Sequence, residues 1–262
     1  MIKLIAVDMD GTLLDDQKNF SEELYSIVER MKAKNCRLVI ATGNQYELVQ
    51  EKFYPIKDEL IYLCENGAKL VYHDQILYTN TLSESLHYKI LDMLVKIDHI
   101  IIVMCGTKHA YLRKSDQQYN SMIRNYYRNI EYVDDLNIVE DQIMKFSICQ
   151  IDGHIQEIAD ILLPFLPSSL QLITTGNIWF DIFDAKMTKG TTMAKLQEIL
   201  HISKDECAAF GDQMNDYGLL ESVTHSYAMK NAVEPLKQIA EAITEYDNNH
   251  NGVIEEIKKM GF

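Results

Sequence analysis

Two kinds of hydrophobic pattern alternate in the first and last thirds of the chain. Short continuous apolar runs predict buried strands, and apolar residues three and four positions apart predict the helices between them. The predicted elements are strands at residues 4–7, 36–43, 60–64, 207–210 and 226–229, a hairpin over 70–78 around His73 and Asp74, and helices after a cap at Ser21 and at 190–200, 234–241 and 252–260. Strands that alternate with helices favour a parallel sheet covered on both faces, which is an α/β fold.

The middle of the chain has a different rhythm. It predicts helices at 84–97, 117–128 and 155–163, strands at 100–105, 109–112 and 143–151, and a hairpin of 170–175 with 178–183 around Gly176 and Asn177. We interpret this segment as an α+β domain inserted into the first one. The predicted boundaries give a discontinuous core, 1–82 with 184–262, and an insertion at 83–183, and both are ordinary domain sizes.

Composition narrows the choice of partners and compartment. The chain has 25 Lys and Arg against 39 Asp and Glu, a net charge of −14, which disfavours nucleic acid and anionic membranes as partners. Its five cysteines are scattered singly, so buried, reduced thiols are expected rather than disulfides or zinc ligands. The first strand follows Met1 directly and no apolar run has the length of a membrane span, so we expect a cytoplasmic protein without a signal peptide.

The first strand ends in two acidic residues, Asp8 and Asp10, separated by one position. Side chains at i and i+2 of a strand point to the same side, so both carboxylates are aimed into one small volume. Such crowding requires a cation or a proton. For an isolated DxDG sequence, a solvated strand end before a turn at Gly11 would be the simpler interpretation.

Two further strands end in polar residues. The segments VDMDGT (7–12), IATG (40–43) and FGDQMND (210–216) all lie at predicted carboxyl ends, where open α/β sheets bind ligands. Asp8, Asp10, Asp212 and Asp216 would then share one crevice and repel one another unless a hard divalent cation lay between them. Oxygen ligands of this kind suit Mg²⁺ better than zinc.

The same crevice has the donors for a phosphoryl group. The Thr42 hydroxyl, backbone N–H groups of the tight turns at Gly11 and Gly43, and the Lys189 ammonium would surround a phosphate beside the metal. A carboxylate bound to the metal can attack phosphorus, and an aspartate two residues further on can protonate the leaving oxygen. The DxD spacing provides both groups.

The ordered segments DMDGT, IATG, the lysine of TKG, and GDQMND resemble the four motifs of the haloacid dehalogenase (HAD) superfamily of phosphatases. The insertion between the second and third motifs, with ENGA at 65–68 and NAVEPLK at 231–237, resembles the Cof-type branch, which carries a large α/β cap of type IIB. The resemblance covers nearly the whole chain. It implies a Rossmann-like core of parallel strands with an inserted cap domain.

The resemblance also implies roles for individual residues. Asp8 would be the nucleophile that forms an aspartyl-phosphate, and Asp10 the general acid and base. Thr42 and Lys189 would bind the transferring phosphoryl group. The expected ligands of Mg²⁺ are Asp212, the Asp8 side chain and the Asp10 backbone carbonyl, with Asn215 and Asp216 completing the shell and Asn215 also close to the phosphate.

The implied activity is Mg²⁺-dependent hydrolysis of phosphomonoesters of small metabolites, with sugar phosphates first and nucleotide or cofactor phosphates behind, by a monomer or homodimer. A phosphomutase of the same fold and a non-catalytic phosphometabolite sensor are the alternatives. One departure bears on them: Asn44 follows Gly43 where the family commonly has arginine, and an asparagine cannot grip phosphate as a guanidinium does.

Several residues also have simpler explanations. Thr42 could cap the following helix, and Lys189 alone could be a surface lysine. Asn66 and Gly67 could form only a turn. Asp181 is at a position where the family often has an acidic residue, but a solvent-facing strand carboxylate explains it nearly as well. Tyrosines 119, 126, 127 and 132 and Trp179 could line a specificity surface, although core packing is the commoner use of aromatic residues.

Overall fold

The computed structural model describes residues 1–175 and 177–262, which form two compact units. One unit is Met1–Tyr78 with Thr188–Phe262, and the other is Thr79–Met187. The strands are β1 (Leu4–Asp8), β2 (Arg37–Ala41), β3 (Leu60–Cys64), β4 (Lys69–Tyr72), β5 (Gln75–Thr79), β6 (Ile101–Gly106), β7 (Ala110–Arg113), β8 (Ile130–Val133), β9 (Ile143–Cys149), β10 (Leu170–Thr175), β11 (Trp179–Asp184), β12 (Cys207–Gly211), β13 (His225–Ala228) and β14 (Ala242–Ile243). The helices are α1 (Glu23–Ala33), α2 (Tyr46–Lys52), α3 (Glu84–Leu94), α4 (Asn120–Ile123), α5 (Ile155–Leu162), α6 (Lys189–Leu200), α7 (Tyr217–Glu221), α8 (Glu234–Ile239) and α9 (Gly252–Lys259).

The first unit is built on an eight-stranded sheet in the order β14-β13-β12-β1-β2-β3-β4-β5. The pairs from β14 to β3 are parallel, and β4 turns back antiparallel to β3. The central strand β1 is buried along its whole length, because helices cover both faces of the sheet. A strand buried on both faces is apolar at successive positions, which explains the continuous apolar run in the sequence. The predicted α/β fold with a parallel sheet is confirmed.

The parallel register determines which residues share an edge of the sheet. Asp8 in β1 pairs with Ala41 in β2, and Val7 pairs with Phe210 in β12. The residues that follow these strand ends, Thr42 and Asp212, therefore lie at the same carboxyl edge as Asp8. Residues far apart in sequence meet there because parallel strands run in the same direction and place their carboxyl ends at one edge of the sheet.

Local signals determine where the core helices and turns begin. Thr188 caps α6 through a capping box with Thr191, which makes Lys189 the first residue of that helix. His73 and Asp74 both have left-handed backbone, as a two-residue hairpin turn of type I′ requires, and the predicted hairpin is confirmed. The predicted capping by Ser21 is present, although α1 begins one residue later than a cap at Ser21 implies: Glu22 precedes the helix without a side-chain cap, and the Ser21 hydroxyl accepts a hydrogen bond from the Glu23 N–H.

The second unit contains a six-stranded sheet in the order β10-β11-β9-β6-β7-β8. The predicted strand pair β6–β7 and the antiparallel pair β10–β11 are present, although Gly176 of the predicted hairpin lies outside the described residues. The prediction of a helix over 117–128 is wrong. A 3₁₀ turn ends at Tyr119 and α4 covers only Asn120–Ile123, after which the chain forms turns and then the unpredicted strand β8, parallel to β7.

The reason for this difference is tertiary packing. Ile123 and Tyr127 are both buried in an apolar cluster against the sheet. One short helical turn followed by irregular chain is enough to bury both side chains, so their spacing of four residues does not require a longer helix. The Asn120 side chain accepts hydrogen bonds from Arg124 and from Tyr132 of β8, and the second of these bonds ties the strand to the start of α4. Trp179 lies in the same cluster with its ring against Tyr126, which favours core packing over a binding surface.

Asp181 does not face solvent as the simpler interpretation expected. Its carboxylate accepts hydrogen bonds from the buried Lys145 ammonium, at 2.9 Å, and from the Ser147 hydroxyl. Ser147 in turn accepts a hydrogen bond from the Tyr127 hydroxyl. The polar cluster lies within the sheet of the second unit.

The five cysteines are all buried free thiols. Across residues 1–175 and 177–262, every helix is either too short or too polar to cross a lipid bilayer.

Candidate active site

Three buried carboxylates converge at the carboxyl edge of the core sheet. Asp8, Asp212 and Asp216 each place one oxygen within 4.8 Å of the others, and in the described part of the chain they form the one such group of possible metal ligands. They are almost fully buried, with side chains supplied by β1 and by the loop after β12. Hard oxygen donors at this spacing fit a Mg²⁺ ion.

Lys189 supplies positive charge to this cluster. Its fully buried Nζ lies 2.5 Å from Asp8 Oδ1 and 2.6 Å from Asp216 Oδ1. Three carboxylates and one ammonium leave two negative charges when all are ionised. A divalent cation would balance that charge, and burying it otherwise is costly.

The pKa values of these groups reflect the crowding. Burial first, and then the neighbouring charge of Asp216, raise the pKa of Asp8 well above its usual range. The same two causes, in the same order, raise the pKa of Asp212. Burial alone would lower the pKa of Lys189, but the carboxylates of Asp216 and Asp8 outweigh it and raise that pKa. The ammonium is therefore charged, and the carboxylates of Asp8 and Asp212 hold protons more tightly than free aspartates do.

Backbone and hydroxyl donors orient the carboxylates. The second oxygen of Asp216 accepts hydrogen bonds from the backbone N–H groups of Asp212 and Gln213. Thr12 donates to Asp212 Oδ1 at 3.0 Å. Gly11 has a φ of +80°, and a side chain there would collide with the Asp212 carboxylate. Glycine is therefore required at this turn for both conformation and space.

Asp10 lies outside the group of buried carboxylates. Its side chain is 44% exposed, and Lys18 Nζ lies 2.9 Å from its Oδ1. The Asn44 side-chain amide donates to its Oδ2 at 3.2 Å and to Thr42 Oγ1 at 3.1 Å. The carboxylates of Asp8 and Asp10 therefore have different partners, although the i, i+2 spacing predicted one shared volume.

The side chain of Asn215, a predicted ligand of the metal, forms a hydrogen bond with Asn66. Its amide donates to Asn66 Oδ1 at 3.2 Å. Asn66 has left-handed backbone, its N–H donates to the Thr42 carbonyl, and its side-chain amide lies beside the Cα of Gly43, where a Cβ would be tight. The ENG turn thus contacts both the loop after β2 and the loop after β12.

Some residues of this site were not singled out from the sequence. Lys18 holds Asp10, Thr12 holds Asp212, and the Asn231 amide donates to the Gly11 carbonyl at 2.8 Å. Thr12 is the last residue of the DMDGT motif and Asn231 is the first residue of the NAVEPLK segment, so the sequence contained a pattern that pointed to each. Lys18 had none, because only the folded loop brings it back to Asp10.

The comparisons with known proteins identify the family to which the chain belongs. The sequence profile of the haloacid dehalogenase-like hydrolases matches residues 5–257. The chain is 32% identical over 261 residues to the Escherichia coli (strain K12) 5-amino-6-(5-phospho-D-ribitylamino)uracil phosphatase YbjI, covering 99% of this chain and 96% of that protein. It is 26% identical to phosphatase YwpJ of Bacillus subtilis (strain 168), covering 99% of this chain and 100% of that protein. The chain belongs to the haloacid dehalogenase-like hydrolase family, and it is a phosphatase of that family.

Solved structures show the same fold. TM0651 from Thermotoga maritima superposes with a TM-score of 0.86 at 21% identity, covering 99% of this chain and 97% of that chain. BT1666 from Bacteroides thetaiotaomicron superposes with a TM-score of 0.78 at 18% identity, covering 100% of this chain and 96% of that chain. At these identities the likeness extends to the fold alone.

Proposed function

We propose that this chain hydrolyses phosphomonoesters of small metabolites in a Mg²⁺-dependent reaction through an aspartyl-phosphate on Asp8. The observation that carries the proposal is the buried group of Asp8, Asp212 and Asp216 with Lys189 between two of them. Asp8, Asp212 and Asp216 would hold Mg²⁺, with the Asp10 carbonyl and Asn215 as further candidates. Bound there, the cation would neutralise charge on the phosphoryl oxygens and on the carboxylates.

In the first step a carboxylate oxygen of Asp8 attacks phosphorus, and the bond from phosphorus to the ester oxygen breaks. Asp10 gives its proton to that oxygen, so the product leaves as an alcohol. Lys189 and Thr42, with the backbone N–H groups at Gly11 and Gly43, hold the phosphoryl oxygens during transfer. In the second step Asp10 takes a proton from water, which attacks phosphorus, releases inorganic phosphate and frees Asp8.

The names of two relatives support a choice of substrate class. Two relatives across this chain are named 5-amino-6-(5-phospho-D-ribitylamino)uracil phosphatases, which act on a phosphorylated sugar alcohol attached to a pyrimidine. We propose sugar phosphates and related polyol phosphates as the first substrates to test. The test measures inorganic phosphate released from p-nitrophenyl phosphate, sugar phosphates, nucleotides and the ribitylaminouracil phosphate, with Mg²⁺ and with EDTA.

Phosphate release that needs the metal would support the proposal, and the panel would rank substrates. Transfer of the phosphoryl group to a second sugar position, without release, would identify a phosphomutase. Folded protein that binds Mg²⁺ and phosphorylated metabolites but turns over none of them would identify a sensor. Either of the last two results would overturn the proposed hydrolysis.

Mg²⁺ should also stabilise the protein in a pH-dependent way. The pKa of Asp8 is raised above its ordinary value of 3.8, so its contribution to stability is present while it is protonated and is lost as the pH rises through the folded value. We therefore expect Mg²⁺ to raise the thermal unfolding midpoint clearly at neutral pH and little near about pH 4. An equal effect of Mg²⁺ at both pH values would contradict this assignment of the metal to the carboxylates.

A further inference from the structure

Asp10 is the most exposed of the four acidic residues discussed for this site. It follows β1 in a turn, and its side chain is 44% exposed, whereas Asp8, Asp212 and Asp216 are buried. A half-exposed carboxylate samples several rotamers unless other groups hold it. For transfer of a proton to an ester oxygen, its position must be defined to within a fraction of an ångström.

Two side chains hold Asp10, one at each oxygen. Lys18 Nζ lies 2.9 Å from Oδ1, and Asn44 Nδ2 lies 3.2 Å from Oδ2. The lysine comes from the loop after β1, and the asparagine comes from the loop after β2. Because both carboxylate oxygens have a donor, rotation of the carboxylate would break at least one hydrogen bond.

Asn44 also connects Asp10 to Thr42, the proposed phosphate donor in the loop after β2. The same Nδ2 lies 3.1 Å from Thr42 Oγ1, and the Asn44 backbone N–H donates to that oxygen at 3.2 Å. An amide nitrogen has two hydrogens, so these two acceptors use both of them. Thr42 Oγ1 accepts twice from Asn44, which leaves its own O–H directed elsewhere, as a donor to a phosphoryl oxygen requires.

The loop that carries Lys18 is built to return it to Asp10. Lys18 has a φ of +66°, a conformation that lysine rarely adopts. Its N–H donates to the Asp15 carbonyl, and its own carbonyl accepts a hydrogen bond from Lys52 Nζ. These contacts on both sides of the residue hold the turn in which the Lys18 side chain reaches back to Asp10.

We infer that Lys18 and Asn44 are positioning residues that together hold the carboxylate of Asp10 for proton transfer, and that Asn44 couples it to Thr42. The inference rests on the proposed function, in which Asp10 is the acid and base. In this arrangement Lys18 places a cation beside Asp10, and Asn44 places a neutral donor there.

The test uses the different demands of two leaving groups on Asp10. p-Nitrophenolate departs as a stable anion, whereas an alkoxide must be protonated as it leaves. The measured quantity is kcat/KM, which reports transfer to Asp8, for p-nitrophenyl phosphate and for the alkyl phosphate that the wild type hydrolyses fastest. The ratio of the alkyl value to the aryl value cancels defects in phosphate binding and in the amount of folded protein.

We expect this ratio to fall at least about tenfold in Lys18→Met and in Asn44→Asp. Asn44→Asp preserves the shape of the side chain but replaces the donor to Asp10 with a second carboxylate, so Asn44→Leu, which removes the donor without adding charge, should give the same fall. Lys18→Arg, which retains a cationic donor, should recover most of the ratio. Lys32→Met is the matched control, because Lys32 has a similarly exposed side chain, 65% against 62%, and pairs with Glu59 away from the site.

A ratio within about threefold of the wild type in both Lys18→Met and Asn44→Asp would overturn the inference, whether or not the two rates fall together. That outcome differs from failure of the proposed function. If the protein is not a phosphatase, the wild type itself releases phosphate from neither substrate.

Discussion

Replacing Asp8 by asparagine should abolish turnover and at the same time stabilise the metal-free protein. The amide cannot act as the nucleophile, so kcat should fall at least about 10⁴-fold. Stability should rise because one of three crowded, buried carboxylates becomes neutral while Lys189 retains its contact with Asp216. The measurements are phosphate release with Mg²⁺ and thermal unfolding in EDTA.

The combination of these two results is informative, because a misfolded variant would lose both activity and stability. Asp92→Asn is a suitable control, since Asp92 is 70% exposed and pairs with Lys96 one helical turn away. It should leave turnover and the unfolding midpoint unchanged. Turnover by Asp8→Asn within tenfold of the wild type would show that Asp8 is not the nucleophile.

Replacing Lys189 by methionine should have the largest effect on stability. The ammonium is fully buried between Asp8 and Asp216, and its loss leaves two carboxylates in the core without their counter-charge. Breaking a buried pair in this way costs about 3–5 kcal/mol of the free energy of unfolding. Loss of one donor to the transferring phosphoryl group should also lower kcat about 10²–10³-fold.

The origin of this loss can be tested with Mg²⁺ and pH. If the unpaired carboxylates cause it, Mg²⁺ should recover part of the free energy of unfolding of Lys189→Met, and acid pH should reduce the deficit by protonating Asp8. Lys145→Met is the comparison variant, because Lys145 is also buried and is paired with Asp181 in the other unit. Its loss of stability should not respond to Mg²⁺. Identical responses of the two variants would contradict the metal assignment.

Comparing the two lysine variants also distinguishes loss of a buried ion pair from loss of a proposed catalytic group. Lys145 lies within the sheet of the second unit beside Ser147, and its replacement alters a buried ion pair outside the proposed catalytic group. Lys189 belongs to that group. A variant of Lys145 that folds should therefore retain the metal dependence of the wild type.

Much of the fold followed from periodicity along the chain. Continuous apolar runs identified β1, β2, β3 and β12, and the strand–helix alternation indicated parallel pairing, because these signals are local and the strands are covered on both faces. The hairpin at His73 and Asp74 was equally local. The segment 117–128 was mispredicted, because the packing of Ile123 and Tyr127 in the apolar cluster against the sheet decides its conformation.

The candidate site divides in the same way. The sequence by itself determined which functional groups are available: acidic residues at strand ends, a threonine and a lysine, in an order typical of one family of phosphatases. Only the tertiary structure decided which of them meet. It placed Asp8, Asp212 and Asp216 within reach of one cation, turned Asp10 towards Lys18 and Asn44, and set Asn215 against Asn66. Such contacts depend on sheet register and on the return of loops, which residue spacing along one strand does not encode.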